Sequence, residues 1–144
     1  MKWRMNWRGA EVVKATSEQA IEIMSDVGLA AEGNSKRELT KGHGVLTGHL
    51  RRSVHVAQPG YAWANDAGGT GERGGSRVRA ERRGSKLVVE LGSGLEYAMA
   101  IHQGWSNGGG LRGSFSGYHY LINGVDKTRP QVPTIIVRWK RKNG

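Results

Sequence analysis

The chain has 144 residues, with 22 Lys and Arg against 12 Asp and Glu for a formal net charge of +10, 23 glycines and no cysteine. This is the length of one domain, able to bury about 68–70% of its unfolded surface, and the lack of cysteine excludes disulfides, thiolate metal sites and cysteine nucleophiles. The charge favours polyanionic partners, either nucleic acid or an acidic protein surface. No apolar run approaches the roughly 20 residues that cross a bilayer.

The chain starts MKWRMNWRGA, which is basic but is followed by no apolar stretch, so it does not read as a signal peptide and a soluble protein made in a cytoplasm is expected. Residues 1–9 read as an N-terminal arm in which Trp3 and Trp7 alternate with Lys2, Arg4 and Arg8. Such a pattern stacks on bases and holds phosphates, sits at a membrane interface, or docks its tryptophans on a neighbouring subunit, the last being favoured. From Ala10 to about Ala31, Val13, Ala20, Met24, Val27 and Ala31 recur at helical spacings, with Ile21 and Ile23 widening the stripe and Glu11, Lys14, Glu18, Glu22 and Asp26 on the other side. The pattern extends towards Leu39, with Gly28 and Gly33 as weak points. A helix from 10 to 40 would be about 45 Å long, against a radius of gyration of about 14–15 Å for such a domain. It is therefore expected either to break near Gly33 or to project towards a partner.

Lys41-Gly42-His43-Gly44 is a turn, after which Thr47 is placed to cap one helical turn from Gly48 to Arg52. From Ser53 the period becomes two, which puts Val54, Val56, Tyr61 and Trp63 on strands around the Pro59-Gly60 turn. Residues 65–77 and 104–117 are glycine-rich and read as flexible loops. Val78–Arg82 and Lys86–Leu91 form a hairpin, Tyr97–Gln103 a short helix, and Tyr118–Lys127 a further helix with Leu121, Ile122 and Val125 inward. Pro130 and Pro133 interrupt it, and Ile135–Trp139 is either a terminal strand or the last helix. The class is α+β in a single domain spanning residues 1–144: a long N-terminal helix packed on a small antiparallel sheet, with a short helix and a C-terminal helix.

No active site is legible. Gly68–Ser76 lacks the lysine and the following helix of a phosphate loop. His43, His49, His55, His102 and His119 show no metal-ligand spacing, the carboxylates form no catalytic pair, and no serine sits in a nucleophile elbow. No enzyme activity, metal or cofactor is expected.

Two segments carry a family likeness. Val45-Leu46-Thr47-Gly48-His49-Leu50-Arg51-Arg52-Ser53-Val54 resembles the Thr-Gly-x-Leu-Arg-x-Ser-hydrophobic signature of the tail-completion (tail-component, neck) proteins of long-tailed double-stranded-DNA bacteriophages. Leu87–Ser93 followed by Glu96-Tyr97-Ala98-Met99-Ala100-Ile101-His102-Gln103-Gly104-Trp105 is similar to that family's strand, glycine turn and Tyr-Ala helix, with His102–Trp105 where the family has Glu-x-Gly-Thr. Tyr118–Leu121 is a looser counterpart of the entry to the last helix. The resemblance implies a structural virion protein of the head–tail neck, made in the host cytoplasm. It would form a homo-oligomeric ring around the DNA channel, between the head-closure or connector complex and the tail terminator or tail tube, with no membrane partner.

On that reading Thr47 caps the turn, Gly48 lets the backbone bend and Leu50 points into the core, with Ser53 and Ala98 as further structural positions. Arg51 and Arg52 are left outward for a neighbour's carboxylates or carbonyls, and Trp3, Trp7, Tyr97, His102 and Trp105 are the other interface candidates. Mobile loops that order on assembly and strand addition at exposed sheet edges suit a ring. The alternative, from charge and the Trp/Arg terminus, is a small basic nucleic-acid-binding protein.

Overall fold

The computed structural model describes residues 2–7, 17–39, 48–63, 80–84, 86–95, 97–104 and 115–143; for residues 2–7, 17 and 49 it describes the backbone alone. In chain order the elements are β1 (Lys2–Trp7), α1 (Ser17–Glu38), α2 (His49–Ser53), β2 (His55–Ala57), β3 (Glu81–Arg83), β4 (Lys86–Gly92), α3 (Ala98–Gln103), α4 (Tyr120–Thr128), a 3-10 turn (Arg129–Gln131) and α5 (Val132–Asn143). The fold is α+β, with the long helix, small antiparallel sheet, short helix and C-terminal helix expected.

Residues 2–7 are a strand of the chain's own sheet rather than a free arm. The period-two alternation of Lys2, Arg4 and Asn6 with Trp3, Met5 and Trp7 is that of a strand, and it pairs antiparallel with β4, Lys2 opposite Gly92 and Trp7 opposite Leu87. β4 is the sheet's centre. Its second edge carries β2 at one end, with Val56 opposite Leu91, and β3 at the other, with Arg83 opposite Lys86 across the hairpin turn.

α1 runs unbroken through Gly28 and Gly33 for 22 residues, about 33 Å. Glu18 in its first turn and Lys36 and Arg37 in its last match the helix dipole. Over this span it neither breaks nor projects, because it is covered on two sides; residues 10–16 of the expected helix lie outside the described residues. Ala20, Ile23, Met24, Val27, Ala31 and Leu39 join the main core, and Glu32, Asn34 and Ser35 are buried as well. On the sheet side, a Cβ at Gly28 would stand 3.2 Å from Val89 Cγ1 and 3.3 Å from Val56 Cγ1. On the other side α4 lies against α1 so closely that a Cβ on Gly124 would strike Ser35, coming within 2.6 Å of its backbone nitrogen. Asn34 Nδ2 then donates to Thr128 Oγ1 (2.8 Å) and to Gln131 Oε1 (3.0 Å), while Thr128 Oγ1 returns its proton to the Gly124 carbonyl.

The 135–139 segment is helical. Val132, Ile135 and Ile136 are buried and Trp139 packs on the same core, a three- and four-residue spacing, while Val137 between them is 52% exposed. Pro130 and Pro133 stand at the starts of the 3-10 turn and of α5, where a missing N–H costs nothing. Tyr61 and Trp63, expected on strands, follow the Pro59-Gly60 turn without strand pairing and fold back beside His55.

The glycines of the two packed helices should respond oppositely to one methyl group. Gly124→Ala is expected to lower stability by about 1–3 kcal/mol through overpacking. Gly33→Ala, whose Cβ meets nothing within 4 Å, is expected to raise it by up to about 1 kcal/mol. Urea denaturation of both variants checks the pair.

Candidate functional site

The Thr-Gly segment and the segment after β4 meet through two serines. α2 is a single helical turn entered from Gly48, whose φ is 77°, and its Leu50 is buried in the core. Ser53 closes the turn by donating to the Leu50 carbonyl (2.6 Å), and its Oγ lies 2.7 Å from Ser93 Oγ. Ser93 in turn accepts the Leu95 amide (3.2 Å). Both serines are fully buried, so each hydroxyl satisfies backbone that the sheet leaves behind. Thr47, the expected cap, lies outside the described residues, and the residue flanking the turn is Gly48 with no side-chain cap. Arg51 and Arg52 are exposed. At the other end of the joint, Ala98 is fully buried, whereas Tyr97 and Met99 are 47% and 50% exposed. Trp3 and Trp7 occupy β1 at the positions opposite Leu91 and Leu87. Trp105 lies outside the described residues, as does nearly all of the two glycine-rich loops.

His102 is not a surface residue. It is 1% exposed, and its Nδ1 accepts the Leu121 amide (3.3 Å), one of the unpaired donors at the start of α4. An acceptor at Nδ1 requires the proton on Nε2, hence a neutral ring in this state. Burial, and then the neighbouring His119, depress its pKa from 6.5 to about 4. The rest of α3 clasps the same helix entry. Tyr120 Oη donates to the Ala98 carbonyl (3.0 Å), and the Tyr118 and His119 amides donate to the Ile101 and His102 carbonyls (3.0 and 2.9 Å). Burial pushes the Tyr120 phenol well above its usual range, with Tyr97 adding to the shift, which keeps it a donor. Gly104 and Gly117 cross at the base of the second loop with φ of 82° and 83°. A Cβ on either would collide with the opposing backbone, the Phe115 carbonyl for Gly104 and the His102 carbonyl for Gly117. His102 shares an i, i+4 face with the core residue Ala98, and that spacing was the available signal for its burial.

A second buried polar group escaped the sequence reading. Glu90, in the middle of β4, is 0% exposed and accepts from Trp63 Nε1 (3.0 Å) and, at longer range, from the Gly60 amide (3.5 Å). His55 lies against Trp63 and Tyr61, with ring centroids 4.6 and 5.3 Å apart. A carboxylate within an otherwise apolar strand, Leu87-Val88-Val89-Glu90-Leu91, marks a residue needing a dedicated donor. Glu32 is the counterpart on α1: its Oε2 accepts the Val56 amide (3.2 Å) and its Oε1 the Lys36 ammonium (2.9 Å), which closes the outer edge of β2 at Val56 to strand addition.

These buried acids hold structure together and are shut off from solutes. Among the described residues no group of three His, Asp or Glu is placed to hold a metal, and no helix is long and apolar enough to cross a membrane. Charge at the surface is the chemically active feature. Arg51 and Arg52 stand on α2, and Arg138, Lys140, Arg141 and Lys142 are all at least partly exposed near the end of α5. Comparison of the chain with family models, curated proteins and solved structures returns no match.

Two measurements test these assignments. The unfolded His102 protonates near 6.5 and the folded one near 4. Between those values the unfolded chain binds the proton first, so stability present above pH 6.5 is lost as pH falls towards 4. His102→Asn, whose Oδ1 can still accept the Leu121 amide, is expected to flatten this part of the urea-midpoint profile. Trp63→Phe removes the indole donor from the buried Glu90 and is expected to cost about 1–3 kcal/mol. Adding Glu90→Leu in that background should recover part of the loss, since a carboxylate no longer needs a donor; equilibrium denaturation of the single and double variants measures it.

Proposed function

We propose that the chain is a structural subunit of a phage head–tail neck, joining copies of itself in a ring around the DNA channel between the head-closure complex and the tail. The observation that carries this reading is the joint between the two family-like segments. They are about 40 residues apart in sequence, and Ser53 and Ser93 bond at 2.7 Å while Leu50, Leu91 and Ala98 share one core. The positions that resemble the family are thus spent on building a single rigid corner. What the corner leaves at the surface, Arg51 and Arg52 on one segment and Tyr97 and Met99 on the other, is contact chemistry: guanidiniums for carboxylates and carbonyls, and amphipathic or flexible apolar side chains for packing. Two different faces per subunit are what a closed ring uses.

A second reading has its own observation. Arg138, Lys140, Arg141 and Lys142 lie within five residues of the exposed end of α5, which suits a small nucleic-acid-binding protein.

Light scattering of the full chain across protein concentration, at low and high salt and with or without short duplex DNA, separates them. The neck reading expects a closed oligomer, alone or once neck partners are added, that is lost in Arg51→Glu/Arg52→Glu. A strict monomer that joins neither heads nor tails would overturn it. If that monomer binds duplex DNA with a log–log salt slope near −5, the value for about six phosphate contacts, the nucleic-acid reading replaces it.

A further inference from the structure

α1 and α5 diverge around a groove of about 490 Å³, within the size range of sites that hold a ligand or a peptide anchor. Its lining is mixed: Ile135 is buried and at Gly33 the helix presents no side chain, a Cβ there meeting nothing within 4 Å, while Asn34, Gln131 and Thr134 add polar groups. Leu29, an exposed apolar residue at 38%, stands at the rim. Two guanidiniums, Arg37 from α1 and Arg138 from α5, flank the opening and are exposed.

Arg37 is not a loose surface charge. Its Nη1 donates to Asn34 Oδ1 (2.8 Å), and Asn34 is itself buried and tied by its amide nitrogen to Thr128 and Gln131. The interhelical network thus fixes one end of the guanidinium and leaves its remaining donors for a partner. Among the described residues neither Arg37 nor Arg138 has a carboxylate within ion-pair distance.

We propose that this groove binds an acidic, apolar-anchored segment of another protein, an Asp- or Glu-bearing stretch whose apolar side chain seats over Gly33 and Ile135 while its carboxylates meet Arg37 and Arg138. Charge complementarity selects that occupant. The chain carries +10, and six of its eight described carboxylates have these internal partners: Glu22 with Trp139, Glu32 with Lys36, Glu38 with Lys127, Glu81 with Arg83, Glu90 with Trp63 and Asp126 with Arg129. A second copy, itself at +10, would bring more cations than acids. Nucleic acid fits less well, because none of the lining side chains is an aromatic on which bases could stack. The inference holds whether or not the chain forms a ring.

The test selects random displayed peptides on the immobilised full-length chain, with counter-selection on Gly33→Trp. The tryptophan fills the groove floor from a helical position with open space and replaces a poor helix former, so the urea midpoint of Gly33→Trp should not fall below that of the unchanged chain. Enriched peptides are expected to combine two or more Asp or Glu with a large apolar residue. A synthetic copy of the leading peptide, followed by fluorescence anisotropy, should bind about tenfold or more weakly to Arg37→Gln and to Arg138→Gln. Enrichment of peptides without acids, no enrichment over Gly33→Trp, or undiminished binding to both arginine variants would overturn the proposal. Duplex DNA that displaces the peptide and itself loses binding to Gly33→Trp would assign the groove to nucleic acid instead.

Discussion

The close approach of α1 to layers on both its sides is the constraint from which the rest of the structure follows. A helix with one covered face needs only an apolar stripe. This one is pressed against β2 and β4 through Gly28 and against α4 through Ser35 and Gly124, so its second face must also be dry. That face is polar and largely satisfied internally, although among the described residues the buried Ser35 hydroxyl pressed against Gly124 finds no hydrogen-bond partner. Asn34 spends both donors on Thr128 and Gln131, while on the sheet side Glu32 accepts the amide that β2 turns away from the sheet. Small side chains permit the approach, and hydrogen bonds make it specific, because a buried polar group left without a partner costs more than the bond gains. Long-range coupling of this kind ties the N-terminal helix to residues nearly one hundred positions later.

The same economy governs charge. Glu32 and Glu90 are buried and hold backbone or indole donors, and Glu22, Glu38, Glu81 and Asp126 also have partners within the chain. Acidic side chains are thereby drawn inward or neutralised while arginines and lysines on α2 and α5 remain outside. Among the described residues the available surface charge is thereby weighted towards arginine and lysine, in keeping with a net charge of +10. That asymmetry supports both an assembly role and the acidic partner inferred for the α1–α5 groove, and it accelerates association with any anionic surface.

The corner built by α2, the end of β4 and α3 shows how short elements are made rigid. Neither α2 nor α3 exceeds six residues, too short to be stable alone. The Ser53–Ser93 pair holds one, and the carbonyls of the other are consumed by Tyr120, Tyr118 and His119. The glycine crossing at 104 and 117 brings these two backbone positions into direct contact.

Periodicity determined the classes of most elements. The three- and four-residue spacing of α1, the apolar run of β4 and the glycine at the β3–β4 hairpin are local patterns, and local patterns are set by backbone geometry. The alternation of residues 2–7 was equally local and marks a strand, although its charges invited reading it as an arm. Whether 135–139 is helix or strand was undecided in sequence, since Ile135-Ile136-Val137 suits both, and packing of Ile135, Ile136 and Trp139 on one side decided it. The candidate site divided in the same way. Arg51 and Arg52 outward and Leu50 inward are what the family resemblance implied, and the structure exposes the two arginines and buries Leu50. Only tertiary contact could decide that His102 caps α4, that Glu90 answers to Trp63, that Ser53 meets Ser93, and that Gly33 floors a groove, because each depends on a partner 19 to 102 residues away whose position no local rule specifies.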